Sequence, residues 1–223
     1  MKNLFYIVKN IKKETGKVPY KPLEFFDIYE KEFNQLKTKK IKLLEIGIGN
    51  GKSLLMWKRF FPKGQITGLD IKKKNIKDIK IKIFQGNQTN KNLLRKLHKK
   101  RGPFDIIIDD GGHFMLQQIK SFTILFPLLN ERGIYVIEDL FTSYWPEFGG
   151  KIKKTDTTIE MLKTLIDKLN NYAYYSKRAG KYKQKRKKDF FERYIHSISF
   201  YRNICFIHKK QQTKFLTPRN QNV

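Results

Sequence analysis

The stretch from Ile41 to Gly51 reads Ile-Lys-Leu-Leu-Glu-Ile-Gly-Ile-Gly-Asn-Gly, and a helical pattern from Ser53 to Phe60 follows it directly. An apolar, β-prone run that ends in alternate glycines and gives way to a helix is the form of a buried strand turning tightly. Glycine lets such a turn take unusual dihedrals and lets a ligand approach the backbone. The segment is therefore expected to be a ligand-binding turn of an α/β sheet; the bland alternative is a turn that binds nothing.

Three ligand classes compete for it. Gly51-Lys52-Ser53 has the ending of a phosphate-binding P-loop, but that motif needs a glycine where Ile46 stands. A dinucleotide fingerprint counted from Gly47 needs a glycine at Lys52. The remaining pattern is acidic-x-Gly-x-Gly-x-Gly, opened by Glu45. Here the chain resembles the class I S-adenosylmethionine-dependent methyltransferases, in which this turn holds the methionine part of the cofactor.

Length allows one α/β domain with a sizeable core. The formal net charge is +28, with 48 basic residues of which 9 are Arg. Such a charge normally points to nucleic acid. Lysine is the poorer bidentate reader of phosphate and bases, and here the lysines are spread along the chain, so solvated faces explain the balance slightly better. The single Cys205 sits in an apolar run and has no internal disulfide partner. Met1 to Asn10 carries too short an apolar run for a secretory signal, and no run has the length of a membrane span. A cytoplasmic location follows as the default.

Residues 1–40 read as a helical lead-in, with Leu23 to Leu36 carrying Phe25, Phe26, Tyr29 and Phe33 at helical spacing. A second strand runs from Gln65 to Ile71. Its Asp70 lies 19 residues past Gly51, the spacing at which a strand-end acid accepts from ribose hydroxyls. Ile81 to Gln85 is a third strand ending in Gly86-Asn87-Gln88, and a helix from Lys91 to Leu97 follows. Phe104 to Asp110 is a fourth strand, Phe114 to Leu129 a helix, Ile134 to Ile137 a fifth strand, and Thr157 to Leu169 another helix. Alternation of this kind implies right-handed crossovers and a parallel sheet. Residues 172–188 form a basic loop with interleaved tyrosines. Ile195 to Tyr201 and Ile204 to His208 make a hairpin, and 211–223 is a polar tail. The expected fold is a Rossmann-like methyltransferase domain over 41–210, with a mostly parallel seven-stranded sheet and a C-terminal antiparallel hairpin.

Two clusters carry the chemistry. Asp109, Asp110 and His113 follow the fourth strand, and Glu138 and Asp139 follow the fifth. Ligands of open α/β sheets bind at the carboxyl ends of the strands. Converging carboxylates repel one another, and a hard divalent cation such as magnesium relieves that repulsion through oxygen ligands. A metal beside a hydroxyl lowers its pKa, and a nearby histidine accepts the proton. Asp110, Glu138 and Asp139 are thus the expected metal ligands and His113 the expected general base. The alternative is that the acids cap the following helix and His113 is solvated in its first turn.

Asp-Asp-Gly-Gly-His (109–113), Phe-Pro-Leu-Leu (126–129) and the run Gly-Ile-Tyr-Val-Ile-Glu-Asp-Leu-Phe-Thr-Ser-Tyr-Trp-Pro-Glu-Phe-Gly-Gly (133–150) sharpen the resemblance. They look like the metal-dependent sugar O-methyltransferases of macrolide and tetracenomycin pathways. That family has Ser at the place of Gly112 and Asp at the place of Asn87. The resemblance implies S-adenosylmethionine as cofactor. Its contacts are expected at Glu45, Gly47, Gly49, Asn50, Gly51, Ser53, Asp70, Ile71, Asn87, Gln88 and Asp109. It implies magnesium or another divalent cation, and an acceptor that is a sugar nucleotide, glycoside or polysaccharide precursor. Tyr144 and Trp145 are expected either to line a sugar or to pack as a loop staple. An oligomer is compatible with it. The rivals are an RNA or cap methyltransferase gripping a strand with Lys181 to Lys188, and a non-catalytic cofactor-binding module.

Overall fold

The computed structural model describes residues 3–74, 76, 81–171 and 186–213. Among these lie seven strands and seven helices. In chain order they are α1 (Leu4–Thr15), α2 (Glu24–Phe33), β1 (Lys42–Ile46), α3 (Lys52–Phe60), β2 (Gln65–Asp70), β3 (Ile81–Gln85) and α4 (Lys91–Arg101). There follow β4 (Ile106–Asp109), α5 (Met115–Leu125), β5 (Ile134–Glu138), α6 (Thr158–Asn170), α7 (Phe190–Tyr194), β6 (Ile195–Tyr201) and β7 (Ile204–Lys209).

The strands form one sheet in the order β3-β2-β1-β4-β5-β7-β6. The first five are mutually parallel, and the β6–β7 hairpin closes the edge antiparallel to β5. The expected architecture is the observed one. The register aligns Ile46 with Leu69 on one side and Asp109 on the other, so the ends of β2, β1 and β4 lie level. That is the crevice where ligands of open α/β sheets bind.

β1 is buried on both faces, as parallel strands covered by helices must be. Leu43 points into an aromatic-rich layer with α1, α2 and α3, where Tyr29, Phe33, Trp57, Phe61 and Phe206 pack ring against ring. Leu44 and Ile46 point into the opposite layer with Leu94, Phe122, Leu125 and Leu162. Glu45 shares the face of Leu43 and is fully buried among polar partners.

Several boundaries differ from the sequence reading for local reasons. The lead-in is two helices, because Gly16 takes the left-handed conformation that closes α1 and prolines 19 and 22 exclude helix across the connection. The long fifth helix stops at Leu125, and Phe126–Leu128 continues as a 3-10 turn around Pro127, which has no N–H to donate. β4 starts two residues late, since Asp105 turns its carboxylate to the backbone N–H of Lys42 at 2.7 Å and the Asn130 amide at 2.6 Å. The unforeseen α7 opens on a capping box between Asp189 and Glu192. Most of the basic loop (172–185) and of the tail (214–223) lies outside the described residues. Among the described residues no helix is long and apolar enough to cross a membrane.

Candidate active site

Gly47, Gly49 and Gly51 all have positive φ, so the chain after β1 folds back tightly before α3 begins. At Gly47 the close neighbour is the next loop of the sheet: an added Cβ would stand 1.9 Å from the carbonyl oxygen of Asp110. The β1 and β4 loops therefore touch through bare backbone. Beside them opens a cleft of about 410 Å³, lined by the glycine turn, Asn50, Ser53, Asp70, Ile71, Asp110, Gly111, His113 and Asp139. Asp70 is fixed at the cleft by accepting from the backbone N–H groups of Ile48 (3.2 Å) and Lys72 (2.8 Å).

Of the expected cofactor residues, Gly47, Gly49, Asn50, Ser53, Asp70 and Ile71 line this cleft; five others do not. Glu45 faces inward and accepts from the Ser53 hydroxyl (2.6 Å) and the Trp57 indole N–H (3.1 Å). It supports the turn from below, because its place on β1 puts it on the helix-covered face. Gly51 is the N-cap of α3, behind the turn. Asn87 holds its own turn by accepting from Thr89 N–H at 2.8 Å. Asp109 is fully buried and accepts from Gln88 (3.0 Å), Tyr135 (3.2 Å) and Ser121. Burial raises its pKa despite these donors. Gln88 in turn accepts from the Gly112 N–H at 3.1 Å, so Asp109 and Gln88 brace the loop that carries His113.

The expected metal set is divided by the structure. Asp110, His113 and Asp139 gather at the cleft, with one ligand atom from each within 4.8 Å of the others. The His113 Nε2 lies 3.4 Å from Asp139 and 4.0 Å from Asp110. Glu138 turns away from Asp139 and joins Glu45 and Asp110 in a second group. The cause is local: Glu138 is the last residue of β5 and points into the sheet face, while Asp139 takes a left-handed conformation, φ 55°, that swings the chain toward the cleft. Glu138 Oε1 accepts from the Lys21 ammonium and the Tyr29 hydroxyl, each at 2.5 Å.

Lys21 also contacts Asp110 at 2.8 Å and Glu45 at 3.1 Å with its side chain fully buried. Burial opposes its charge, yet the three carboxylates more than reverse this and lift its pKa well above the lysine range. Burial pushes Asp110 up to about 7 and Glu138 up to about 8, with neighbouring acids adding to the rise and Lys21 opposing it. This crowding of carboxylates is the electrostatic state that a divalent cation relieves. Neither Lys21 nor Tyr29 was legible as a site residue. Lys21 is one lysine among many, and Tyr29 reads as one more aromatic on an amphipathic helix.

His113 itself has φ 60°, uncommon for a residue with a side chain. Thr142 holds it there by donating to the carbonyls of His113 (3.2 Å) and Asp139 (2.8 Å), tying the β4 and β5 loops together. The His113 Nδ1 is buried with no hydrogen-bond partner among the described residues. Next to the imidazole stands Phe148, 6.5 Å between centroids, which adjoins Phe114 and Trp145. Phe114, Tyr144 and Trp145 are about half exposed. Trp145 also packs edge-on against Phe141, with 4.7 Å between ring centroids.

No protein-family model matches the chain. It is 37% identical over 192 residues to a mycinamicin VI 2''-O-methyltransferase of Micromonospora griseorubida, a match covering 81% of this chain and 47% of the relative. It is also 37% identical to the 8-demethyl-8-alpha-L-rhamnosyl tetracenomycin-C 2'-O-methyltransferase of Streptomyces olivaceus, over 82% of this chain and 49% of the relative. Among solved structures, the MycE methyltransferase of the mycinamycin pathway, in complex with Mg and SAH, superposes with a TM-score of 0.82 at 33% identity. That match covers 92% of this chain and 55% of that one. A further MycE complex, which also contains mycinamycin VI, gives 0.81 at 32% identity over 92% of this chain and 54% of that one. The chain spans about half the length of the curated relatives it matches. It has the class I methyltransferase fold and is a relative, across four-fifths of its own sequence, of the sugar O-methyltransferases of macrolide and tetracenomycin pathways.

Proposed function

We propose that the chain transfers a methyl group from S-adenosylmethionine to a hydroxyl of a sugar or glycoside, with magnesium at the acid cluster and His113 as general base. The observation that carries this reading is that one cleft joins the glycine turn and Asp70 to His113, Asp110 and Asp139. The relatives are named as sugar O-methyltransferases, and the MycE structures contain Mg and SAH.

The residues fit both groups. Asp70 stands at the end of β2 with backbone donors holding it toward the cleft, as a ribose-binding acid requires. Positive-φ glycines leave the backbone open to the rest of the ligand. For the cation, three carboxylates (Glu45, Asp110 and Glu138) meet one ammonium, and Asp139 stands beside His113 on the cleft side of Asp110. The Asp139 carboxylate has no donor among the described residues besides His113. Asp110 and Asp139 would hold the ion on the cleft side.

When bound, the two groups supply an electrophilic methyl and a Lewis acid that makes an alcohol easier to deprotonate. The protein supplies the rest. Gly47, Gly49 and Asp70 orient the donor, and the β4 and β5 loops orient the acceptor; alignment of this kind is much of such an enzyme's work. His113 accepts the hydroxyl proton at Nε2, and the Asp139 carboxylate 3.4 Å away holds the resulting imidazolium. With the donor bound, the deprotonated oxygen would be placed to take the methyl, the carbon–sulfur bond breaking to leave a neutral thioether. The half-exposed Tyr144 and Trp145 offer flat apolar faces to a sugar ring.

His113→Ala is expected to lower turnover by about 100-fold or more while S-adenosylhomocysteine binding, read by calorimetry, stays within about 2-fold. Unchanged turnover would remove His113 from the mechanism.

A further inference from the structure

The His113 ring presents its two nitrogens to different surroundings. Nε2 faces the cleft, 3.4 Å from Asp139 and 4.0 Å from Asp110. Nδ1 is buried and has no hydrogen-bond partner among the described residues. A neutral imidazole carries one proton, and the hydrogen bond made by one nitrogen decides which of the two holds it. Carboxylates beside Nε2 draw the proton there, onto the nitrogen that has to be bare to receive one. An acceptor at Nδ1 would reverse that preference.

Gln117, in the first turn of α5, carries the complementary atom. Its Oε1 is also buried and also without a donor among the described residues. Buried polar atoms are seldom left unpaired, and here a ring nitrogen and an amide oxygen are left so around one loop. That loop makes room for the Gln117 side chain. Gly112, the residue before His113, is not in the left-handed region, so its backbone does not call for glycine. What it supplies is space: a Cβ there would stand 2.2 Å from Gln117 Oε1. The loop backbone is held separately, by Gln88 accepting from the Gly112 N–H at 3.1 Å and by Thr142 donating to the His113 carbonyl at 3.2 Å. What those two bonds leave unfixed is the imidazole itself.

We propose that Gln117 is a positioning residue for His113: its side-chain carbonyl accepts from Nδ1–H and so keeps Nε2 bare toward the cleft. The use made of that bare nitrogen rests on the function proposed above; the hydrogen bond does not. Both groups end in rotatable side chains, so the bond closes without moving the loop.

The test reads the ring directly. Two-bond 1H–15N spectra of the whole protein at alkaline pH show which nitrogen carries the proton, with the His113 signals identified by their loss in His113→Ala. Wild type is expected to show Nδ1–H. Gln117→Leu is expected to move the proton to Nε2 and to lower kcat for methyl transfer at least about 10-fold, with S-adenosylhomocysteine affinity within about 2-fold. Gln117→Glu keeps an acceptor and is expected to restore Nδ1–H and most of the turnover. Gly112→Ala leaves residue 117 unchanged, but its Cβ displaces the amide oxygen. It should reproduce the Gln117→Leu shift, and the two changes together should do no more than either alone. If Gln117→Leu does not fold, Gly112→Ala decides by the same spectra. An Nε2–H wild type overturns the proposal, as does Nδ1–H kept in folded Gln117→Leu. Nδ1–H kept there and lost in Ser143→Ala would overturn it in favour of Ser143, whose buried hydroxyl also lacks a partner among the described residues. A wild type with Nδ1–H that transfers no methyl to any sugar would remove the proposed function and still support the hydrogen bond.

Discussion

Gly47 joins two loops that side chains would hold apart. Its φ is +78°, and the neighbour that a Cβ would strike is the backbone of Asp110 and Gly111. Backbone cannot swing aside as a side chain can. Gly47→Ala is therefore expected to lose at least about 1–2 kcal/mol from the left-handed conformation alone, and to displace the loop that bears Asp110. Calorimetry should show S-adenosylhomocysteine binding weakened by about 10-fold or more; wild-type affinity would contradict the loop contact. At Asp110 and Glu138 the sign of the pH effect follows from burial. Both carboxyls are raised, to about 7 and about 8, so the folded cation-free chain keeps protons that the unfolded chain releases near its ordinary carboxylate values. The native state binds more protons from roughly pH 4 upward, and stability falls as pH rises through that window toward the folded values. Magnesium held at Asp110 would displace that residue's proton, so its affinity would rise over the same range. Melting temperature without magnesium should decline from about pH 5 to pH 8, with a slope reduced in Glu138→Gln, while the increment from added magnesium grows. A flat profile in both would count against the buried acid pair.

The second helix does two jobs. Its Phe25, Tyr29 and Phe33 are fully buried against α3 and the hairpin, and the Tyr29 hydroxyl reaches through that layer to Glu138. Tyr29→Phe keeps the ring packing and removes only the donor to a buried carboxylate, a change of about 1–3 kcal/mol. Trp57→Ala removes both the packed indole and the donor to Glu45, and is expected to cost about 3–5 kcal/mol. Urea unfolding of the two variants should rank them in that order; equal losses would mean that Trp57 contributes through its hydrogen bond alone. The same helix shows where sequence reasoning stops. Its amphipathic face was plain from Phe25, Phe26, Tyr29 and Phe33 at helical spacing, because burial of a stripe leaves a period. Where the one hydroxyl among them, that of Tyr29, ends up depends on how α2 lies across the sheet, and that leaves no local trace. The β1 turn was legible for the opposite reason. Its function is made by backbone, and the glycines that permit it stand in the chain in order.

For the molecule as a whole, the alternation of strands and helices and the final hairpin pointed to a mostly parallel seven-stranded sheet with an antiparallel end, since parallel crossovers leave few topologies. The site was legible in part. His113, Asp110, Asp139 and Asp70 lie at strand ends and reach the cleft. Glu138 was grouped with Asp110 and Asp139 because they follow adjacent strands; it does lie beside Asp110, while the left-handed turn at Asp139 carries that residue to the cleft. Lys21 was missed because nothing in the sequence marks it, among 48 basic residues, as one whose ammonium is buried against acids. The chain spans about half of its curated relatives, so the acceptor has to be found by experiment. The most direct measurement is transfer of labelled methyl from S-adenosylmethionine to a panel of glycosides and nucleotide sugars, run with magnesium, after chelation, and after magnesium is restored. Methylation of a sugar hydroxyl that is lost on chelation and recovered with magnesium is expected. Firm cofactor binding with no transfer to any sugar, or transfer untouched by chelation, would contradict it.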